Sequence, residues 1–106
     1  MEFVGTNLEG VVVIEPTVYE DSRGYFFESY RSDKFSNHIG DIRFVQDGES
    51  YSSFGVLRGL HFQKPPFEQA KLVRVAEGSI LDVALDIRKE SSTFGQYFQI
   101  ELSSEN

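Results

Sequence analysis

Residues 69–88 read QAKLVRVAEGSILDVALDIR. Apolar and polar side chains alternate on both sides of Glu77 and Gly78, the pattern of two strands joined by a tight turn. With those two residues as the loop, Val73 is expected opposite Asp82 and Lys71 opposite Ala84. Lys71, Val73, Asp82, Ala84 and Asp86 then share one face. Leu72, Arg74, Leu81, Val83, Leu85 and Ile87 share the other, which is mostly apolar. Lys71 stands diagonally between two carboxylates. The plain interpretation is a solvated face with cross-strand ion pairs worth ~0–1 kcal/mol.

Outward from this hairpin the pattern stays β. VVVIEP (11–16) is expected to be a strand stopped by Pro16. DSRG (21–24) is turn chemistry, and YFFESY (25–30) follows as an extended piece. Further strands are expected near 43–46, 56–63 and 96–103, with RKESSTFG (88–95) as a polar loop. One helix is expected near residues 32–39, with Ser32 capping its start and Gly40 just past its end. Short, evenly spaced strands indicate an all-β sandwich or barrel. The last strand, YFQIELSSEN, alternates and then has no partner after it. Exposed strand edges of that kind are an aggregation hazard, so the domain is expected to be a truncated one.

At 106 residues the chain is expected to hold a single domain, 1–106. The apolar fraction of 40% includes ten Phe and five Tyr, enough for a modest core. There is no cysteine, hence no disulfide framework and no thiolate chemistry. No apolar run reaches the ~18 residues of a membrane helix. The start, MEFVGTNLEG, lacks the basic and apolar regions of a signal peptide. A cytoplasmic protein without membrane contact is expected. The net charge of −7 argues against nucleic acid as a partner. An anionic ligand would need a local basic group to override that background.

VLRGLHFQ (56–63) has the branched and aromatic run of a strand. A plain buried strand would carry apolar side chains where Arg58, Gly59 and His61 stand. Strict alternation puts Arg58 and His61 on opposite faces, the histidine bonded within the core. Gly59 between them suggests a bulge or a close backbone approach, which would turn both polar heads to one side. His38 differs: at a helix end it interacts with the dipole and is expected to be structural or on the surface. A metal site is not expected, because Gln63 stands where a His-x-His pair would have its second histidine.

Taken together, DSRGYFFESY, FVQDGES, VLRGLHFQ, QAKLVRV, DVALDIRKESSTFGQ and LSSEN resemble the dTDP-4-dehydrorhamnose 3,5-epimerases, in order and in spacing, from about residue 11 to the last. The resemblance implies a cupin-like jelly-roll barrel, working as a homodimer with no metal or other cofactor. It implies as substrate dTDP-4-dehydro-6-deoxy-D-glucose, inverted at C3 and C5 on the way to dTDP-L-rhamnose. On the matching positions, His61 is similar to the general base and Lys71 to the cation beside the C4 oxygen. Arg58 resembles the substrate-binding arginine, and Gln46, Asp47 and Gly48 fall in the nucleotide-binding loop. Gly48 departs from the pattern, since an asparagine is usual there. Arg23 and Glu28 match residues that reach the neighbouring subunit's pocket.

The chemistry suits these residue types. Inversion beside a ketone removes an α-proton and returns one to the opposite face, and histidine titrates near ~6.5. A lysine stabilises enolate charge that exists only after deprotonation. Arginines grip phosphate oxygens in two places. Family members carry a further block with a tyrosine acid and an aspartate partner for the histidine. None of Tyr19, Tyr25, Tyr30, Tyr51 and Tyr97 matches that acid, so the 106 residues alone are not expected to epimerise. Two other readings compete: a sugar-nucleotide 3,4-ketoisomerase on the same fold, and a non-catalytic module that binds a nucleotide sugar.

Overall fold

The computed structural model describes all residues, 1–106. Six strands form three separate antiparallel pairs, with one helix between the second pair and the third. Strand β1 (Glu2–Gly5) pairs with β2 (Val12–Glu15), with Phe3 opposite Ile14 and Gly5 opposite Val12. Their loop is closed by Thr6, whose hydroxyl donates to the Val11 carbonyl at 2.9 Å and accepts from the Leu8 N–H at 3.1 Å. Leu8 is buried beneath it. Strand β3 (Tyr19–Asp21) turns through Ser22 and Arg23 into β4 (Gly24–Phe26). As its residues suggested, DSRG makes this turn: the Asp21 carboxylate accepts from the Arg23 N–H at 2.8 Å.

Helix α1 (Ser32–His38) lies where it was expected, although Arg31, not Ser32, is the N-cap and no side chain caps it. The first turn carries Asp33, on the side of the dipole that favours an anion. At the other end Gly40 takes a φ of +111°, and its N–H reaches the Phe35 and Ser36 carbonyls at 3.3 and 3.2 Å. The helix buries Phe35 against Phe3 and Tyr30, in edge contacts with centroids 5.3 and 4.7 Å apart. Phe44 closes the cluster, 5.6 Å from Tyr30. His38 is structural, as expected: its ring stacks on Phe3 at 4.4 Å and its Nδ1 bonds the Lys34 carbonyl at 2.8 Å.

The hairpin expected at Glu77 and Gly78 does not form. Strand β5 (Ser79–Leu85) pairs instead with β6 (Tyr97–Ser103), from Ser79 opposite Ser103 to Leu85 opposite Tyr97. The expected strands at 43–46, 56–63 and 69–76 are likewise absent, so Val73 does not face Asp82 and Lys71 does not face Ala84. A strand exists only where another backbone takes up its N–H and C=O groups. Within 43–77 the backbone makes only two such bonds, the short turns from Val56 to Ser53 and from Phe67 to Lys64. The β5–β6 pair wins because its 86–96 connection is organised by hydrogen bonds of its own. Gly78 keeps a turn-like φ of +81°, and its carbonyl accepts from Ser104 at 3.0 Å.

Only Leu8, Phe35 and Asp86 are buried. The radius of gyration is 15.4 Å, against about 13 Å for a compact domain of this length. The excess comes with the unpaired stretch, where Val45, Tyr51, Phe54 and Leu57 are each more than four-fifths exposed.

Candidate functional site

Arg23 stands at the tip of the β3–β4 turn, its guanidinium 2.6 Å from the Asp21 carboxylate at the shortest contact. That arginine holds the Asp21 carboxyl below its usual range, and the carboxylate raises Arg23 in return. Both side chains are exposed, so the pair orients the arginine outward more than it stabilises the fold. Glu28 follows β4 and lies 3.7 Å from Arg31. With Met1, Thr17, Tyr19 and Lys34 it lines a pocket of about 20 Å³, room for one water.

Gln46, Asp47 and Gly48 lie exposed on the extended stretch after the helix. Arg58 is tied back to its own segment: its Nε donates to the Ser52 hydroxyl at 2.9 Å and its Nη2 to the Tyr51 carbonyl at 3.4 Å. These bonds close residues 51–58 into a short loop, with Arg58 exposed. Gly59 follows with a φ of +97°, a left-handed conformation that only glycine adopts without strain. This is the break in regular extension that its position between Arg58 and His61 suggested, although no ladder is present for it to bulge from. His61 and Lys71 are both exposed. No hydrogen bond or ion pair joins them to each other, or either of them to Arg58 or Arg23. The six residues from Gln46 to Lys71 thus share one unpaired stretch without being bonded into a common site.

The side chains that are bonded into a cluster lie elsewhere. Asp86 is 5% exposed and accepts from Arg88 Nε at 2.9 Å and Nη2 at 3.0 Å, from the Ser91 hydroxyl at 2.5 Å and from the Thr93 hydroxyl at 2.6 Å. The Arg88 guanidinium first, then the two hydroxyls, hold its carboxyl far below the usual carboxylate range. Arg88 Nη2 also donates to the Glu9 carbonyl at 3.1 Å, which ties this loop to the β1–β2 hairpin. Asp86 was expected on the face of Lys71; it is instead the first residue beyond β5, turned into the loop. The signal for this was available in DIRKESST, where short hydroxyl residues follow an aspartate at loop spacing.

One open groove beside α1 encloses about 390 Å³ between Tyr30, Ser36, Asp41 and Arg43. None of the expected site residues lines it. No group of three or more His, Asp or Glu side chains is placed to hold a metal ion.

The model of the family described as dTDP-4-dehydrorhamnose 3,5-epimerase matches residues 5–106. A curated relative of that name from Methanothermobacter thermautotrophicus is 52% identical over 104 residues, covering 98% of this chain and 56% of its own length. One from Salmonella typhimurium is 51% identical over 107 residues, covering all of this chain and 58% of its own. Among solved structures, the dTDP-4-dehydrorhamnose 3,5-epimerase from Elizabethkingia anophelis superposes with a TM-score of 0.93 at 53% identity, over all of this chain and 58% of that one. The dTDP-6-deoxy-D-glucose-3,5-epimerase from Legionella pneumophila, in complex with dTDP-4-keto-L-rhamnose, gives 0.92 at 45% identity, over 99% of this chain and 56% of that one. The chain therefore spans somewhat under three fifths of the length of these relatives. Its backbone follows their cupin-like jelly roll throughout, including the stretch that carries no ladder here.

Proposed function

The chain belongs to the dTDP-4-dehydrorhamnose 3,5-epimerase family, and on that premise we propose that it serves an epimerase converting dTDP-4-dehydro-6-deoxy-D-glucose to dTDP-4-dehydro-L-rhamnose. Residues 1–106 supply the first part of a single jelly-roll domain. The protein works in the cytoplasm, where a cysteine-free chain handling a nucleotide sugar belongs. One observation carries this reading. The family match runs from residue 5 to residue 106, a span that contains His61, Lys71 and Arg58.

His61 takes the proton from C3 and then C5, each acidified by the C4 ketone. An imidazole is suited to this proton transfer, since histidine is the side chain most often used as a general base. Lys71 meets the negative charge that gathers on the C4 oxygen as the enolate forms. Because the ammonium takes up that charge, the reaction needs no metal or other cofactor. Arg58 holds the diphosphate, with its guanidinium already bonded to Ser52 and Tyr51. Gln46, Asp47 and Gly48 receive the nucleotide, Gly48 through its backbone. Arg23, held on the tip of a hairpin by Asp21, and Glu28 serve the site of a second copy in a homodimer.

Solvent exchange tests the reading directly. In heavy water, the protein at the length of its relatives should place deuterium at both C3 and C5 of the substrate. The 106 residues alone should not, because none of the five tyrosines stands at the family's acid position. Failure of the longer protein to exchange at either carbon overturns the assignment. A product with its ketone moved to C3 would favour the ketoisomerase.

A further inference from the structure

Eight of the nine glycines could carry a Cβ in open space. Gly59 is the exception. A Cβ there would lie 3.2 Å from His61 Nδ1, 3.3 Å from the His61 backbone nitrogen and 3.6 Å from His61 Cε1. The imidazole therefore rests its Nδ1–Cε1 edge against the bare Cα of the residue two places before it. Nε2 is left as the nitrogen further from the backbone.

We propose that Gly59 is a positioning residue for His61: its missing side chain is the space into which the imidazole settles, and this sets which nitrogen faces the substrate. The inference deepens the role given to His61 and rests on it for its catalytic consequence, but not for its geometry. Any L-side chain at 59 strains the backbone and also displaces the ring. The two effects can be separated, because Gly55 has a similar φ of +83° with nothing within 4 Å of its Cβ position. Gly55→Ala imposes the backbone strain alone; Gly59→Ala imposes strain and contact.

The first measurement needs no variant. With only two histidines, the ring protons of the 106-residue chain can be assigned, and an Overhauser contact is expected between His61 Hε1 and the Gly59 Hα protons. Its absence overturns the proposal. Gly59→Ala should move the His61 ring resonances and leave those of His38 in place, whereas Gly55→Ala should move neither. Equal effects of the two substitutions on His61, or none, refute it. In the protein at the length of its relatives, Gly59→Ala should lower kcat for deuterium exchange about 10²-fold with KM little changed, and Gly55→Ala should not. His61→Gln is the control for the catalytic reading. If it leaves exchange intact, His61 is not the base, while the ring contact still decides the placement. If it abolishes exchange and Gly59→Ala does not lower kcat, the positioning role is wrong.

Discussion

Phe35→Ala probes the one apolar cluster that holds strands and helix together. Phe35 is 2% exposed and meets Phe3, Tyr30 and Phe44 edge-on. Removing a buried phenylalanine ordinarily costs ~3–5 kcal/mol, combining lost transfer energy with the cavity left behind. Here Tyr30 is 43% exposed, so the cluster can partly collapse and water can enter. The loss should fall at the low end, about 3 kcal/mol. A domain of this length has about 5–15 kcal/mol in all. With only two apolar side chains buried, this chain should sit near the lower bound, and the substitution should remove most of its stability. Urea unfolding followed by tyrosine fluorescence reads the loss. A second readout localises it: the His38 ring stacked on Phe3 at 4.4 Å should show an upfield ring-current shift, which disappears in Phe35→Ala. Phe35→Leu should cost less than ~1.5 kcal/mol and keep the shift. A loss below ~1 kcal/mol for the alanine variant, or a His38 shift that persists, refutes this account of the core.

Asp86→Asn should lower the urea midpoint at pH 7 and flatten its acid dependence. The folded-state pKa of Asp86 is depressed, so the carboxylate contributes stability above its unfolded value of ~3.9, and that contribution is lost as pH falls toward the folded value. Unfolding midpoints between pH 7 and pH 2 check this; an asparagine variant with the parent's acid limb would contradict it. In the protein at the length of its relatives, Lys71→Met should cut kcat by ~10²–10³-fold, the usual consequence of losing one donor to a developing oxyanion. Steady-state exchange at C3 measures it, and a rise in KM with kcat unchanged would mean that Lys71 only binds substrate.

What was legible in the sequence had local causes. The β3–β4 turn follows from Asp21 and Gly24, the helix end from Gly40, and the last two strands, though not their pairing with each other, from alternation over 79–85 and 97–103. What was misread depended on partners. Residues 69–76 alternate as well as β5 does, yet alternation says only that a segment could pair, not with what. The face assignment of Asp86 failed by a single residue, because β5 stops at Leu85 and the period of two does not continue into the loop. Strand β1 went unexpected because EFVG lacks the run of branched residues that marked β2, a strand of the same length. The resemblance placed His61, Lys71 and Arg58 by motif, and the local structure adds how Arg58 and His61 are each held by their own segment.

The ordered part of the chain and its chemical part are different stretches. Ladders, helix and the Asp86 cluster occupy 2–38 and 79–103, and the Arg88 bond to the Glu9 carbonyl, with Asn7 donating to the Tyr97 carbonyl at 3.3 Å, joins the first hairpin to the last. Between them, residues 46–71 carry the side chains proposed as base, enolate-stabilising lysine, phosphate arginine and nucleotide loop, on backbone that no strand supports. Catalytic groups must be held within about 0.5 Å of their working geometry, and sites built on strands or helices are more precise than sites on loops. Local bonds fix single residues, as Ser52 fixes Arg58 and the bare Cα of Gly59 seats His61. Their mutual placement needs ladders that these 106 residues do not supply to one another. On this account, catalysis by the longer protein depends on backbone pairing along 56–63 and 69–76. Amide exchange there should be fast in the 106-residue chain and slow wherever epimerase activity is present.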